Sequence, residues 1–220
     1  MLNNLKAVIL DMDGTLIDSM GIWHEIDKQF FAEHHLTPPE NFSNQVNKMT
    51  MQEWAEYFVK NFHIPLTESQ IIHRIEEMAS EYYEKTISSK PYVLEFLDFL
   101  DKHYLPYGIA TATYRSSAKA VLSRLGILNR MQFILTAEDV PTCKKTPEMF
   151  LQAGHLLNSI PEQTLVVEDS LHCIQTAKKA NFKTIAVYDK FTPSNEWETA
   201  KQISDIYGNN LQEIMLKLQA

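Results

Sequence analysis

Apolar residues along the chain fall into runs of two kinds. Ala7-Val8-Ile9-Leu10 is short, partly β-branched and apolar on both faces, the pattern of a strand buried inside a parallel sheet. It stops abruptly at Asp11. The same pattern predicts strands at Tyr107-Gly108-Ile109-Ala110, Phe133-Ile134-Leu135, Leu165-Val166-Val167 and Thr184-Ile185-Ala186-Val187, each ending at polar residues or a turn. Apolar residues at helical spacing separate these strands over Leu94–Lys102, Ser116–Leu125, Pro147–Leu157 and Leu171–Ala180. Thr146 and Ser170 are expected as N-caps, Pro147 suits a first helical position, and Gly126 suits a left-handed C-terminal residue. Strands alternating with helices predict an α/β fold with a doubly wound parallel sheet. Leu211–Leu218 reads as a closing amphipathic helix, and Ile203–Tyr207 as a short edge strand.

The stretch from Leu16 to Ser88 breaks this alternation: it holds no strand pattern, and helical signals follow one another. Thr50-Met51-Gln52-Glu53 and Thr67-Glu68-Ser69-Gln70 are capping-box sequences, each preceding an apolar-periodic segment. Pro38-Pro39 and Ile64-Pro65 divide the stretch into roughly four helices. The expected organisation is an α/β core from 1–15 and 89–220, with an all-helical domain over 16–88 inserted after the first strand. An insertion there lies on the sheet edge where α/β folds bind ligands and is placed to act as a lid. Trp23, Trp54, Tyr57, Phe58, Tyr82 and Tyr83 recur at near-helical spacing and are expected mostly to pack its interior.

A chain of 220 residues with 45% hydrophobic content can bury a full core. Its 20 Lys and Arg against 28 Asp and Glu give a net charge of −8, which argues against nucleic acid or an anionic membrane as partner. Cys143 and Cys173 are too few for a disulfide framework, and the start MLNNLKAVIL has no secretory pattern. A reduced, cytoplasmic protein without a membrane span is expected. The histidines show no metal-ligand spacing with cysteine.

Asp11-Met12-Asp13-Gly14-Thr15 places two carboxylates at spacing two after a buried strand, so both can point to one side at its carboxyl end. A hard divalent cation would offset their repulsion, and Gly14 lets the chain turn away sharply. Glu168-Asp169 follows another buried strand in the same way, before Ser170. Taken singly, each pair is compatible with a polar turn or a helix entrance; in a parallel sheet, both can converge on one metal. Thr111-Ala112-Thr113 offers a hydroxyl and backbone N–H groups to an anion. Lys144 and Lys145 precede a helix start, a position the helix dipole does not favour for a cation, which suits Lys144 as a counter-charge to phosphate and to Asp11.

These segments, in this order, resemble the four motifs of the haloacid dehalogenase superfamily, and the helical insertion resembles the cap of its β-phosphoglucomutase-like subgroup. The resemblance implies a Mg²⁺-dependent phosphatase acting on a small phosphorylated metabolite, a sugar phosphate first, as a monomer. It makes Asp11 the nucleophile, Asp13 the acid and base, and Lys144 the balancing cation. It assigns phosphate binding to the Thr111 hydroxyl, to Lys144 and to the amides of Met12 to Gly14 and of Ala112. Mg²⁺ would be held by Asp11, the Asp13 carbonyl and Asp169, with Glu168 supporting its waters.

Three rival readings follow from the same residues. Phosphonoacetaldehyde hydrolysis needs a Schiff-base lysine, but Lys28 has the acidic and polar neighbours of a solvated side chain. The mutase pattern has a histidine after the first motif and a Gly-x-Ser-Arg clamp, where this chain has Trp23 and Lys48-Met49-Thr50-Met51. A catalytically silent module binding a phosphometabolite or protein is the reading from another class; it would be free to lose Asp11, Asp13 or Asp169, all of which are present.

Overall fold

The computed structural model describes residues 2–40, 42, 46, 49–62 and 64–219. Two compact units emerge: one comprises Met1–Asp18 and Ser88–Ala220, the other Ser19–Ile87.

The first unit is built on six parallel strands, β1 Ala7–Leu10, β2 Tyr107–Ala110, β3 Ile134–Leu135, β4 Thr164–Glu168, β5 Lys183–Val187 and β6 Ile206–Gly208, in the order β3-β2-β1-β4-β5-β6. With six α-helices among the described residues of this unit, this is the expected doubly wound α/β architecture. β1 to β4 are buried along their whole length, which accounts for their unbroken apolar runs. β6 confirms the short edge strand, shifted so that Ile203 ends the preceding helix. That helix, Ser194–Ile203, carries no strong start signal and was not anticipated; it buries Trp197 and Ala200.

The helix Arg115–Arg124 ends as Gly126 suggested: Gly126 has φ +73°, its N–H donates to Ser123 O (3.0 Å), and Ile127 N–H donates to Leu122 O (2.9 Å). Thr146 is a correction. The helix there is Glu148–Leu156, with Pro147 at the cap and no side-chain cap bond, because the Thr146 hydroxyl pairs with that of Thr142 at 3.0 Å. Ser170 does occupy the cap position of Leu171–Lys179, yet its hydroxyl bonds to His172 Nδ1 (2.7 Å).

The second unit contains three described helices: α1 Met20–Glu33, α2 Met51–Phe62 and α3 Glu68–Lys85. Both capping boxes form. Thr50 N–H donates to Glu53 Oε2 (2.7 Å) while Glu53 N–H donates to Thr50 Oγ1 (3.2 Å); Thr67 and Gln70 exchange bonds of 2.9 and 3.3 Å. The interior is aromatic. Phe58 is fully buried and meets Phe30, Phe31, Phe42, Trp54 and Phe62 at centroid distances from 4.1 to 5.5 Å. Trp54 and Tyr83 are buried as expected, whereas Trp23, Tyr57 and Tyr82 are half-buried. Lys28 is exposed and paired with Glu25 at 2.7 Å, in keeping with a solvated lysine; Lys48 lies outside the described residues.

The linkers joining the units pair with each other. Asp18 N–H donates to Ser88 O and Lys90 N–H to Leu16 O, both at 2.9 Å, around an antiparallel bridge of Ile17 with Ser89.

Truncating Phe58 to alanine should cost about 3–5 kcal/mol, read from chemical denaturation of the intact chain, because it empties the centre of the aromatic cluster. On α1, burial pushes the half-buried Asp27 carboxyl up from 3.8 to about 7. A carboxyl raised in the folded state destabilises once pH exceeds its unfolded value, and does so fully above its folded one. Asp27→Asn should therefore raise stability by roughly 1–3 kcal/mol near pH 8, after allowance for its partial exposure, and change little near pH 4. Melting curves at the two pH values test this.

Candidate active site

Sheet order places the acidic motifs. β1 is flanked by β2 and β4, and from it the chain winds to β3 on one side and β6 on the other. A doubly wound sheet binds ligands at such a switch point, outside the carboxyl ends of the strands. Leu10 pairs with both Ile109 and Val167, so Asp11, Thr111 and Glu168-Asp169 emerge along one edge. Asp11 continues the ladder, donating its N–H to Val167 O at 2.9 Å.

At this edge Lys144 is buried and donates to Asp11 Oδ1 and to Glu168 Oε1, the latter at 2.6 Å. Lys145 is exposed, which separates the two candidates. The second Glu168 oxygen accepts Ser170 N–H at 3.0 Å, so both are occupied. Asp11, Glu168 and Asp169 each offer a carboxylate oxygen within 4.8 Å of the others, all buried. Asp11 Oδ2 is buried with no hydrogen-bond partner among the described residues.

One ammonium cannot balance this many carboxylates. Burial, reinforced by Glu168 and Asp13 and opposed by Lys144, raises the Asp11 carboxyl from 3.8 to about 7. Burial and the charges of Glu168, Asp11 and Asp189 hold Asp169 well above its ordinary range. Burial pulls on Lys144 in the other direction, but Asp11 and Glu168 outweigh it and keep the ammonium charged. Cys173 is buried, with its thiol pushed up by burial and by Glu168; Cys143 is buried as well.

Asp13 occupies different surroundings. Its Oδ2 accepts hydroxyl bonds from Thr111 (3.2 Å) and Thr113 (2.7 Å), and Thr113 N–H donates to Thr111 Oγ1 (3.1 Å). The Thr113 contact was not foreseen, although its spacing of two from Thr111 was visible. Gly14 has φ +81°, where a side chain would be strained. Its N–H donates to Ile17 O at 3.0 Å, which corrects the expectation that it binds phosphate; Gly14 serves the turn instead. Met12 is buried and Ala112 exposed.

Two residues at this edge escaped the sequence reading. Lys90 Nζ donates to Gly14 O (2.6 Å), Tyr188 O (3.0 Å) and Asp189 Oδ2 (2.7 Å), and Asp189 is 1% exposed. Asp189 had one visible signal, a carboxylate two residues past the end of a strand. Lys90 had none.

The haloacid dehalogenase-like hydrolase family profile matches residues 8–187, spanning β1 through β5. The chain belongs to this family. Among its relatives, the pyrophosphatase PpaX of Oceanobacillus iheyensis is 28% identical over 94% of this chain and 99% of its own. The N-acetylmuramic acid 6-phosphate phosphatase of Pseudomonas aeruginosa is 28% identical over 83% and 81%. Similar folds include CbbY from Rhodobacter sphaeroides in complex with phosphate, with a TM-score of 0.82 at 20% identity over 96% of each chain. β-Phosphoglucomutase from Clostridium difficile has a TM-score of 0.79 at 16% identity, over 95% of this chain and 92% of its own. No described helix is long and apolar enough to cross a membrane.

The donor set of this hydrolase fits a hard divalent cation: all-oxygen, acidic, converging, with one buried carboxylate oxygen unsatisfied. Below pH 7 a cation must displace the Asp11 proton, and above it the proton is already gone. Affinity for a divalent cation should therefore rise with pH through neutrality, with proton release on binding there. Calorimetric titration in buffers of different ionisation enthalpy checks this; affinity independent of pH would place the cation elsewhere.

Proposed function

We propose that the protein is a Mg²⁺-dependent phosphatase that hydrolyses a small phosphorylated metabolite, a sugar phosphate first, through an aspartyl-phosphate on Asp11. The observation that carries this reading is the contrast between the two aspartates of one turn. Asp11 is buried against Lys144 in an acidic cluster, whereas Asp13 is held by two hydroxyls. Two carboxylates in different environments suit two different roles.

An Asp11 oxygen attacks phosphorus, the bond from phosphorus to the leaving oxygen breaks, and Asp13 gives its proton to that oxygen. Water then attacks the phosphoryl group on Asp11. Asp13 takes the water's proton, the acyl phosphate bond breaks, and phosphate leaves with Asp11 restored as a carboxylate. Thr111 and Thr113 orient Asp13 in the form that accepts hydrogen bonds, ready to activate water. Lys144 holds Asp11 in line and offsets the charge gathering at the phosphoryl oxygens, to which the amides of Met12, Asp13 and Ala112 also donate. Asp11, the Asp13 carbonyl and Asp169 would hold Mg²⁺. Glu168, with both oxygens already engaged, supports it from outside. Bound there, the cation supplies charge neutralisation for phosphate and carboxylates in a crowded anionic site.

The phosphatases among the relatives act on phosphorylated carbohydrates and related metabolites by name, which supports sugar phosphates as the first substrates to try. The helical unit, inserted into the chain soon after Asp13, is assigned the choice of leaving group.

Phosphate release from a panel of sugar phosphates, nucleotides, pyrophosphate and p-nitrophenyl phosphate, with Mg²⁺ and with EDTA, tests the reading. We expect metal-dependent release that Asp11→Asn abolishes. Asp13→Asn should reduce it by about 10²–10⁴-fold, and Lys144→Ala should lose most of it. Silence of the native chain across the panel, or full activity of Asp11→Asn, would sink the proposal.

A further inference from the structure

An ammonium has three N–H donors, and those of Lys90 meet three acceptors: Gly14 O, Tyr188 O and Asp189 Oδ2. The group is largely shielded, with the lysine side chain 14% exposed and the Asp189 side chain 1% exposed. Asp189 is fixed in turn by Phe191 N–H at 2.9 Å. A buried ion pair is seldom the most stabilising way to fill such a space, since apolar side chains of similar volume do as well or better. What an apolar pair cannot do is hold a carbonyl.

The carbonyl in question belongs to the residue directly after Asp13. The turn beginning there closes on itself through Gly14 N–H to Ile17 O (3.0 Å) and through the N–H groups of Leu16 and Ile17 to Met12 O (2.9 and 3.0 Å). Those bonds shape the turn. Among the described residues, the Lys90 side chain links its Gly14 carbonyl to the end of β5, and the Lys90 backbone N–H fastens to Leu16 O. The pair also adjoins the acidic cluster: Asp169 feels Asp189 as repulsion and Lys90 as attraction. Together they add a tether at little net charge.

We propose that Lys90 is a positioning residue of the phosphoryl-transfer site, holding the Asp13-Gly14 turn through the Gly14 carbonyl while Asp189 and the Tyr188 carbonyl hold Lys90. The inference rests on the phosphatase reading above and adds a residue outside the four motifs. In-line transfer is sensitive to misplacement of about 1 Å, so a loosened turn lowers turnover more than substrate binding.

Lys90→Met alone would strand a buried carboxylate, so the deciding variant is Lys90→Met with Asp189→Asn, which removes both charges. We expect it to melt close to the native temperature with kcat lowered at least about tenfold and KM within about twofold. Inhibition by orthovanadate, which mimics the transferring group, should weaken in step with kcat/KM, while inhibition by inorganic phosphate changes little. Amide hydrogen exchange over residues 12–17 should speed up. Lys90→Arg, keeping the charge and the donors, should recover part of the turnover.

Native kcat and native exchange in the double variant would make the pair a structural counter-charge and overturn the proposal. If that variant does not fold, Asp189→Asn, which frees the ammonium without removing it, should show the same pattern at smaller amplitude, and unchanged kcat and exchange there would overturn it equally. A native chain that releases no phosphate from the panel defeats the phosphatase reading instead. Exchange over residues 12–17 then decides whether Lys90 anchors the turn.

Discussion

The Lys144 ammonium, shared between Asp11 and Glu168 at the meeting point of β1 and β4, is the interaction on which the rest of the site depends. Asp11, Asp13, Glu168 and Asp169 are gathered at one edge of a sheet whose strands are themselves apolar and buried. Without a compensating charge that arrangement would resist either folding or ionisation. Lys144 offsets part of the repulsion, and the raised carboxyls of Asp11 and Asp169 mark what it leaves. The residual demand for positive charge is what suits this edge to the divalent cation proposed for it. On the proposed reading, electrostatic frustration in the protein alone becomes affinity for the cation that completes it.

The sheet makes this convergence inexpensive in chain conformation. Parallel pairing sends every strand's carboxyl end to one edge, and the reversal of winding at β1 opens a crevice beside β4. Neither acidic pair needs a long or strained loop to reach the other. Asp11 remains in the β ladder, and Glu168 is still part of β4. Asp11 and the charges around it are therefore carried by the ends of buried strands, while Asp13, past the last ladder bond, depends on hydroxyls and a turn.

Much of this was legible because it is local. An apolar run ending in Asp11 or Glu168 announces both a buried strand and the position of its carboxylate, and Gly126 and the boxes at Thr50 and Thr67 declare helix ends within a few residues. What escaped has partners far along the chain. Lys90 meets Gly14 and Asp189 across 76 and 99 positions, which no periodicity records. Thr146 looked like a cap by type, yet its hydroxyl found Thr142 instead. Resemblance assigns the Gly14 amide to phosphate, but the turn uses that amide to close on Ile17. Resemblance supplied chemical roles that spacing alone leaves open, among them the choice of Lys144, which is buried, over Lys145, which is exposed.

The pairing of the two linkers carries a consequence for how such a protein can change over time. Asp18 and Ser88 are hydrogen-bonded neighbours, so the segment between them leaves and rejoins the core at what is geometrically a single point. A chain whose ends meet can be lengthened, shortened or exchanged at little cost in closure entropy and with no shift in the register of β1 or β2. The chemistry of the core and the composition of the insertion are thereby free to diverge at different rates. An insertion anchored in this way can vary in length and composition while the strands that carry Asp11, Glu168 and Asp169 keep their pairing.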